Sequence, residues 1–278
     1  MRDDAGSGDP LARFAADKAR AVRRLAADSR LAEDARALTE QLFSARYMYG
    51  FESLGRPIIQ FPADMVAVQE IVWATKPDVI IETGIAHGGS LAQSAQALAT
   101  LDLADAVSRG APMDPRASRR KVVGVDVDIR PHNRALIEAH PLRGYLRLHE
   151  GSSIDPATVA AVRREIAPGA RVMALLDSHH TRDHVLAELE AYAPLVSPGC
   201  FCVAFDTVVE DMPPGFFPDR PWGPGDGPRA AVDAFLAGAG AALGFARDPE
   251  YNAKLVLSGC RGGYLRRAEA DRDAIAAA

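Results

Sequence analysis

Residues 76–90 read KPDVIIETGIAHGGS, and this stretch decides the fold. Lys76 stands before Pro77, which disfavours helix at that point. Val79-Ile80-Ile81 is short, β-branched and apolar on both faces. It ends on Glu82-Thr83, and glycines at 84, 88 and 89 then lead to Ser90 and a helical pattern over 88–101. A strand apolar on both sides belongs inside a parallel sheet covered by helices on each face.

The same unit repeats towards the carboxyl terminus. Apolar runs recur at 121–126 (KVVGVD), 145–149 (YLRLH), 171–176 (RVMALL) and 199–206 (GCFCVAFD). Helical stretches at 132–140, 156–166 and 181–193 separate them, and another is expected at 229–238. Alternating strand and helix predicts a Rossmann-like, doubly wound, mostly parallel α/β sheet. AALGFARD (241–248) and KLVLSG (254–259), followed by GGYLRR (262–267), are expected to supply two closing strands, with one antiparallel edge strand. Leu103 to Arg120 carries Gly110, Pro112, Pro115 and several charges, and reads as a surface insertion.

Towards the amino terminus, residues 1–9 read as a disordered start. Pro10 to about Arg46 is rich in Ala, Leu and Arg and has an approximate helical stripe, which predicts one or two amphipathic helices broken near Asp28-Ser29. YGFESLGRPIIQFPADM is turn-rich and aromatic, and Pro62-Ala63-Asp64 signals a helix over 64–75. The expected division is a helical cap or lid over 1–63 and a cofactor-binding domain over 64–278. A cap of this kind also suits an oligomer contact, so a homo-oligomer is expected.

Composition narrows the partners. A net charge of −5 over 278 residues argues against nucleic acid or an anionic membrane as the main partner. The amino terminus lacks an apolar signal core and no run approaches the ~18 apolar residues of a membrane span, so a cytoplasmic chain is expected. Cys200, Cys202 and Cys260 are too few and too clustered for a disulfide framework, and read as buried small hydrophobes.

In such a sheet, ligands bind at the carboxyl ends of the strands. The Gly84–Ser90 turn lets a ligand approach the backbone closely, ahead of a helix amino terminus. Asp126 ends the second strand, where a carboxylate accepts hydrogen bonds from a ribose diol. The glycines read G-x-x-x-G-G, and the stretch before Asp126 is too long for the dinucleotide fingerprint, so NAD chemistry is disfavoured. Ser152-Ser153 follows the third strand, as ligand contacts or as a helix cap. The fourth strand runs into DSHHTRDH (177–184), three histidines beside a carboxylate. Asp177 and Asp206 end consecutive strands, close enough to share a hard divalent cation. The alternative makes one carboxylate a general base and the other a helix cap. The proline-rich loop over 208–228 is long enough to cover the site, with Arg220, Trp222 and the Phe216-Phe217 pair available to an acceptor.

LLDSHHTRDHV, FDTVVEDMPPGFFPDRPWGPGDGPRAAV and GGYLRR resemble the cephalosporin hydroxylase / rhamnosyl O-methyltransferase family, as do ETGIAHGGS and GVDVDIRPHN. The resemblance spans about Tyr49 to Arg267. It implies an S-adenosylmethionine- and magnesium-dependent O-methyltransferase acting on a hydroxyl of a small molecule, a sugar or other secondary metabolite. It also implies that Glu82, Gly84, Gly88 and Ser90 line the methionine and ribose side, and that Asp126 holds the ribose. Asp177 and Asp206 match two metal-ligand positions. In the mechanism expected, a cation on these two lowers the proton affinity of the acceptor hydroxyl and His180 takes its proton. Phe205 stands where some members of the family have Glu, which opens the third ligand position to His180, Glu210 or water. His179 stands where Asn is common. Metal-dependent hydroxylation is the rival reading.

Overall fold

The computed structural model describes residues 9–269, so most of the expected disordered start lies outside the described residues. Two helices open the chain, α1 (Pro10–Ala27) and α2 (Ser29–Ser44). Asp28 breaks them where the sequence suggests: its backbone is extended, and its Oδ1 accepts from the Leu31 N–H at 2.9 Å, capping α2. Helix α1 buries no side chain and leaves Leu11 and Phe14 largely exposed, whereas α2 buries Ala35 and Thr39. The turn-rich segment that follows contains a small antiparallel hairpin, β1 (Phe51–Ser53) and β2 (Arg56–Ile58). Helix α3 (Pro62–Thr75) starts two residues before the expected point, with proline in its first turn.

The remaining elements are β3 (Val79–Thr83), α4 (Gly89–Arg109), β4 (Lys121–Asp126), α5 (Pro131–Glu138), β5 (Leu146–Glu150), α6 (Pro156–Arg164), β6 (Val172–Leu176), α7 (Arg182–Tyr192), β7 (Phe201–Ala204), α8 (Pro228–Ala237), β8 (Phe245–Arg247) and β9 (Tyr264–Arg267). Seven strands form one sheet in the order β5-β4-β3-β6-β7-β9-β8. Strands β3 to β7 pair in parallel, while β9 runs antiparallel to both β7 and β8. The strand order reverses between β3 and β6, which opens a crevice at their carboxyl ends.

Alternation along each strand feeds two cores. Ile80, Val122 and Met173 point to one face, with α3 and α4 packed over it. Val79, Ile81, Val123 and Val172 point to the other, under α6, α7 and α8. Cys200 and Cys202 lie together in the second core, buried and free.

Two expectations need correcting. Leu103–Arg109 is not part of a surface insertion but the last turns of α4. No Gly or Pro interrupts it before Gly110, which ends the helix at φ 61°. Arg120 folds back from the loop to Asp105 at 2.8 Å and to Asp102, so the charges pair along the helix. KLVLSG is the second: Lys254 ends a helical turn and residues 255–259 are irregular, because Ser258 and Gly259 are held by Asp64 instead of a neighbouring strand. Among the described residues, no helix is long and apolar enough to cross a membrane.

Candidate active site

A cavity of about 410 Å³ opens at the β3/β6 crevice. The parallel ladder runs one residue past each strand, with Asp177 N–H donating to Thr83 O at 2.9 Å and Phe205 N–H to Leu176 O at 2.9 Å. Gly84, Asp177 and Phe205 therefore stand level across the sheet. Gly84 has φ +84°, and a Cβ there would overlap the carbonyl oxygen of Asp177. Its glycine is required by this close approach, whatever it does for a ligand.

Asp206 takes a left-handed backbone, φ 52° and ψ 20°, and turns the chain sharply after β7. That turn aims its carboxylate back at Asp177. His180 Nε2 lies 3.1 Å from Asp206 Oδ2. Among the described residues, Asp177, His180 and Asp206 form the one group of three candidate ligands, their ligating atoms all within 4.8 Å of one another. Burial, and then the Asp206 charge, push the Asp177 carboxyl well above the usual range, against a hydrogen bond from Gln60. Asp64 enters the same cavity wall, pushed to about 6 by burial although Ser258, Tyr264 and the Gly259 N–H all donate to it. Three carboxylates crowding one floor repel one another, and a divalent cation would relieve that repulsion. The donor set thus fits a cation. Glu210 lies outside this group and off the cavity wall, its Oε1 accepting from the Gly225 N–H at 2.7 Å.

The glycine turn forms the next wall, with Ile85, Ala86, His87, Gly89 and Ser90 facing the cavity. Gly88 does not line it but packs its bare Cα against Ile137. Glu82 lies beneath the turn, fully buried, and Ser94 Oγ donates to its Oε2 at 3.1 Å. Burial pushes the carboxyl to about 7, against hydrogen bonding from Ser90 and Ser94. Asp126 does not line the cavity. Its Oδ2 accepts from the N–H groups of Ile85 at 2.8 Å and Ala86 at 3.2 Å, and its Oδ1 from Asp128 N–H at 3.1 Å. It fixes the turn while keeping lone pairs free.

Ser152 and Ser153 lie away from the carboxylates and outside the cavity wall. Ser153 Oγ is 3.0 Å from His184 Nε2, and its carbonyl accepts from Tyr192 OH at 2.6 Å. The cap of α6 is Asp155, not either serine. Ser178 Oγ also meets His184 Nε2 at 3.2 Å and donates to buried Glu188 at 2.6 Å. His184 is thereby held in a buried polar cluster, separate from Asp206. His179 is exposed at the rim, 3.0 Å from Thr181 Oγ1.

Sequence reasoning missed the hairpin's contribution. Arg56 is buried and donates to His87 O from Nε at 2.8 Å and from Nη2 at 2.6 Å. It also reaches Asn133, which in turn donates to Ala86 O at 3.0 Å. The turn is thus gripped from both sides. Gln60 and Asp64 were equally hidden, since their partners lie more than a hundred residues away.

A model of the rhamnosyl O-methyltransferase/CmcI family matches residues 45–268. The chain belongs to that family. The rhamnosyl O-methyltransferase of Mycobacterium tuberculosis (strain ATCC 25618 / H37Rv) is 31% identical over 177 residues, covering 62% of this chain and 61% of the relative. That of Mycobacterium leprae (strain TN) is 28% identical over 186 residues, covering 66% and 69%. The chain therefore spans only about three fifths of the length of the first of these relatives. The apo structure of CmcI-N160 superposes with a TM-score of 0.51 at 22% identity, over 80% of this chain and 78% of that one, a likeness of fold.

Proposed function

We propose that this member of the family is an S-adenosylmethionine-dependent O-methyltransferase acting on a hydroxyl of a small molecule, a sugar or other secondary metabolite. The observation that carries the reading is the convergence of Asp177, His180 and Asp206 on a cavity bounded by the Gly84–Ser90 turn. S-adenosylmethionine, when bound, supplies an electrophilic methyl group, and magnesium or a similar hard cation held by Asp177 and Asp206 supplies positive charge beside the acceptor oxygen. The protein supplies the rest. The grip of Arg56 and Asp126 on the turn preorganises the cofactor wall. His180 accepts the acceptor's proton, and Asp206, 3.1 Å from its Nε2, steadies the imidazolium that results. Trp222 meets the His180 ring edge-on at 5.4 Å and limits its rotation. Residues of the segment up to 63 (Phe43, Met48, Ile58 and Phe61) enclose the acceptor side and exclude water.

Metal-dependent hydroxylation is less well supported. An open two-histidine, one-carboxylate face is the usual oxygenase donor set. Among the described residues only His180 reaches the carboxylates, while His184 is engaged with Ser153 and Ser178. Calorimetry with S-adenosylmethionine tests the cofactor assignment. We expect binding by the wild-type chain, weakened by about 1–3 kcal/mol in Asp126→Ala, the scale of a lost hydrogen bond to a charged group. No binding by the wild-type chain would overturn the assignment.

A further inference from the structure

The acceptor half of the cavity has a composition of its own. Phe43 lies 5.8 Å from Phe61 and 5.9 Å from Phe217, and Phe217 lies 4.9 Å from Trp222. With Trp222 against His180, these rings form one aromatic wall that ends at the reacting corner. Two guanidinium groups share the cavity with it, Arg46 and Arg220. Arg220 sits 5.7 Å from the Trp222 ring centroid, and Arg46 sits 4.4 Å from that of Tyr49. Among the described residues, neither makes an ion pair or a side-chain hydrogen bond to the protein, whereas Arg120, Arg134, Arg229 and Arg247 each hold a carboxylate.

Arg46 also stands on a left-handed backbone, φ 54° and ψ 36°, just past the end of α2. An L side chain is disfavoured there. The left-handed turn carries the chain into the 3-10 turn of Tyr47–Gly50 and places the guanidinium on the cavity wall. The cavity is thus bipolar. Asp64, Asp177 and Asp206 make one part of its wall acidic, and Arg46 and Arg220 make another positive. Arginine's planar fork suits phosphate and carboxylate above other ligands.

We propose that the acceptor is an amphipathic anion, with its apolar body against the Phe43–Phe61–Phe217–Trp222 wall and a phosphate or carboxylate held by Arg46 and Arg220. The word acceptor rests on the methyl-transfer reading; the anion subsite does not.

The test is calorimetry of the full chain with 2-naphthyl phosphate, 2-naphthoate and uncharged 2-naphthol as probes. We expect at least one anion to bind about tenfold or more tighter than 2-naphthol, the scale of a charge-assisted contact. Preference for the phosphate or for the carboxylate tells which anion the subsite takes. Arg46→Gln and Arg220→Gln should each erode that preference, and R46Q/R220Q should abolish it. Unchanged 2-naphthol affinity in the same variants shows that the apolar wall remains folded. Equal binding of all three probes by the wild-type chain, or a full preference surviving in R46Q/R220Q, would overturn the proposal. Anion preference in a chain that fails to bind S-adenosylmethionine would instead remove the methyl-transfer reading and leave the subsite standing.

Discussion

His180 Nε2 sits 3.1 Å from Asp206 Oδ2, in the cluster that also holds Asp177. That distance serves two incompatible roles, because a ring nitrogen that ligates a cation has no lone pair for a proton. The base role predicts that His180→Ala lowers kcat by roughly 10²–10⁴-fold. Manganese affinity, followed by electron paramagnetic resonance on the cofactor-loaded chain, should stay within a few fold. Loss of manganese binding in His180→Ala would make it a ligand, and loss of both in Asp177→Asn is expected on either account.

The close approach at the crevice makes a separate prediction. Gly84→Ala adds a Cβ against the Asp177 carbonyl and asks an L residue to hold φ +84°. Overpacking and left-handed strain together should cost about 2–5 kcal/mol in denaturant unfolding. A cost below about 1 kcal/mol would mean that β3 and β6 part easily, and that the floor of the site is not rigid.

Those two positions show how far the sequence could be read. The alternation of strand and helix follows from short apolar runs separated by helical stretches, and Asp177 and Asp206 stand out because strand ends mark the crevice. Local signals also located the break at Asp28, where one residue's side chain caps the next helix. What stayed hidden depends on contacts distant in sequence. Asp64 reads as a helix-start residue, yet its carboxylate is taken by Ser258, Gly259 and Tyr264 across the fold. Arg56 looks like an ordinary turn residue until the hairpin brings it to His87. Ser153 offers a hydroxyl to the ligand side in sequence, but the position of α7 draws it to His184. Leu103–Arg109 reads as part of an insertion because Gly110, Pro112, Pro115 and the charges follow closely, whereas the helix runs on to Arg109 and Arg120 returns to pair with Asp102 and Asp105.

Glu82 gives a pH signature. Burial raises its folded-state value from 4.5 to about 7, so the folded chain retains a proton that the unfolded chain has released. The stabilisation from the neutral carboxyl is fully present below about 4.5 and is lost as pH rises through 7. Without cofactor, the wild-type chain should lose roughly 3 kcal/mol relative to Glu82→Gln across that window. Parallel pH profiles of the two chains by chemical denaturation would show Glu82 ionised throughout, contrary to this account.

The central claim is methyl transfer to oxygen at the Asp177–His180–Asp206 corner. Its most direct test is mass spectrometry of products formed from methyl-trideuterated S-adenosylmethionine, magnesium and a panel of small-molecule glycosides and hydroxylated metabolites under labelled dioxygen. We predict a product that carries all three deuterons on an ether oxygen, formed by the wild-type chain and lost in His180→Ala. A product that gains one labelled oxygen atom and no methyl group would contradict the account.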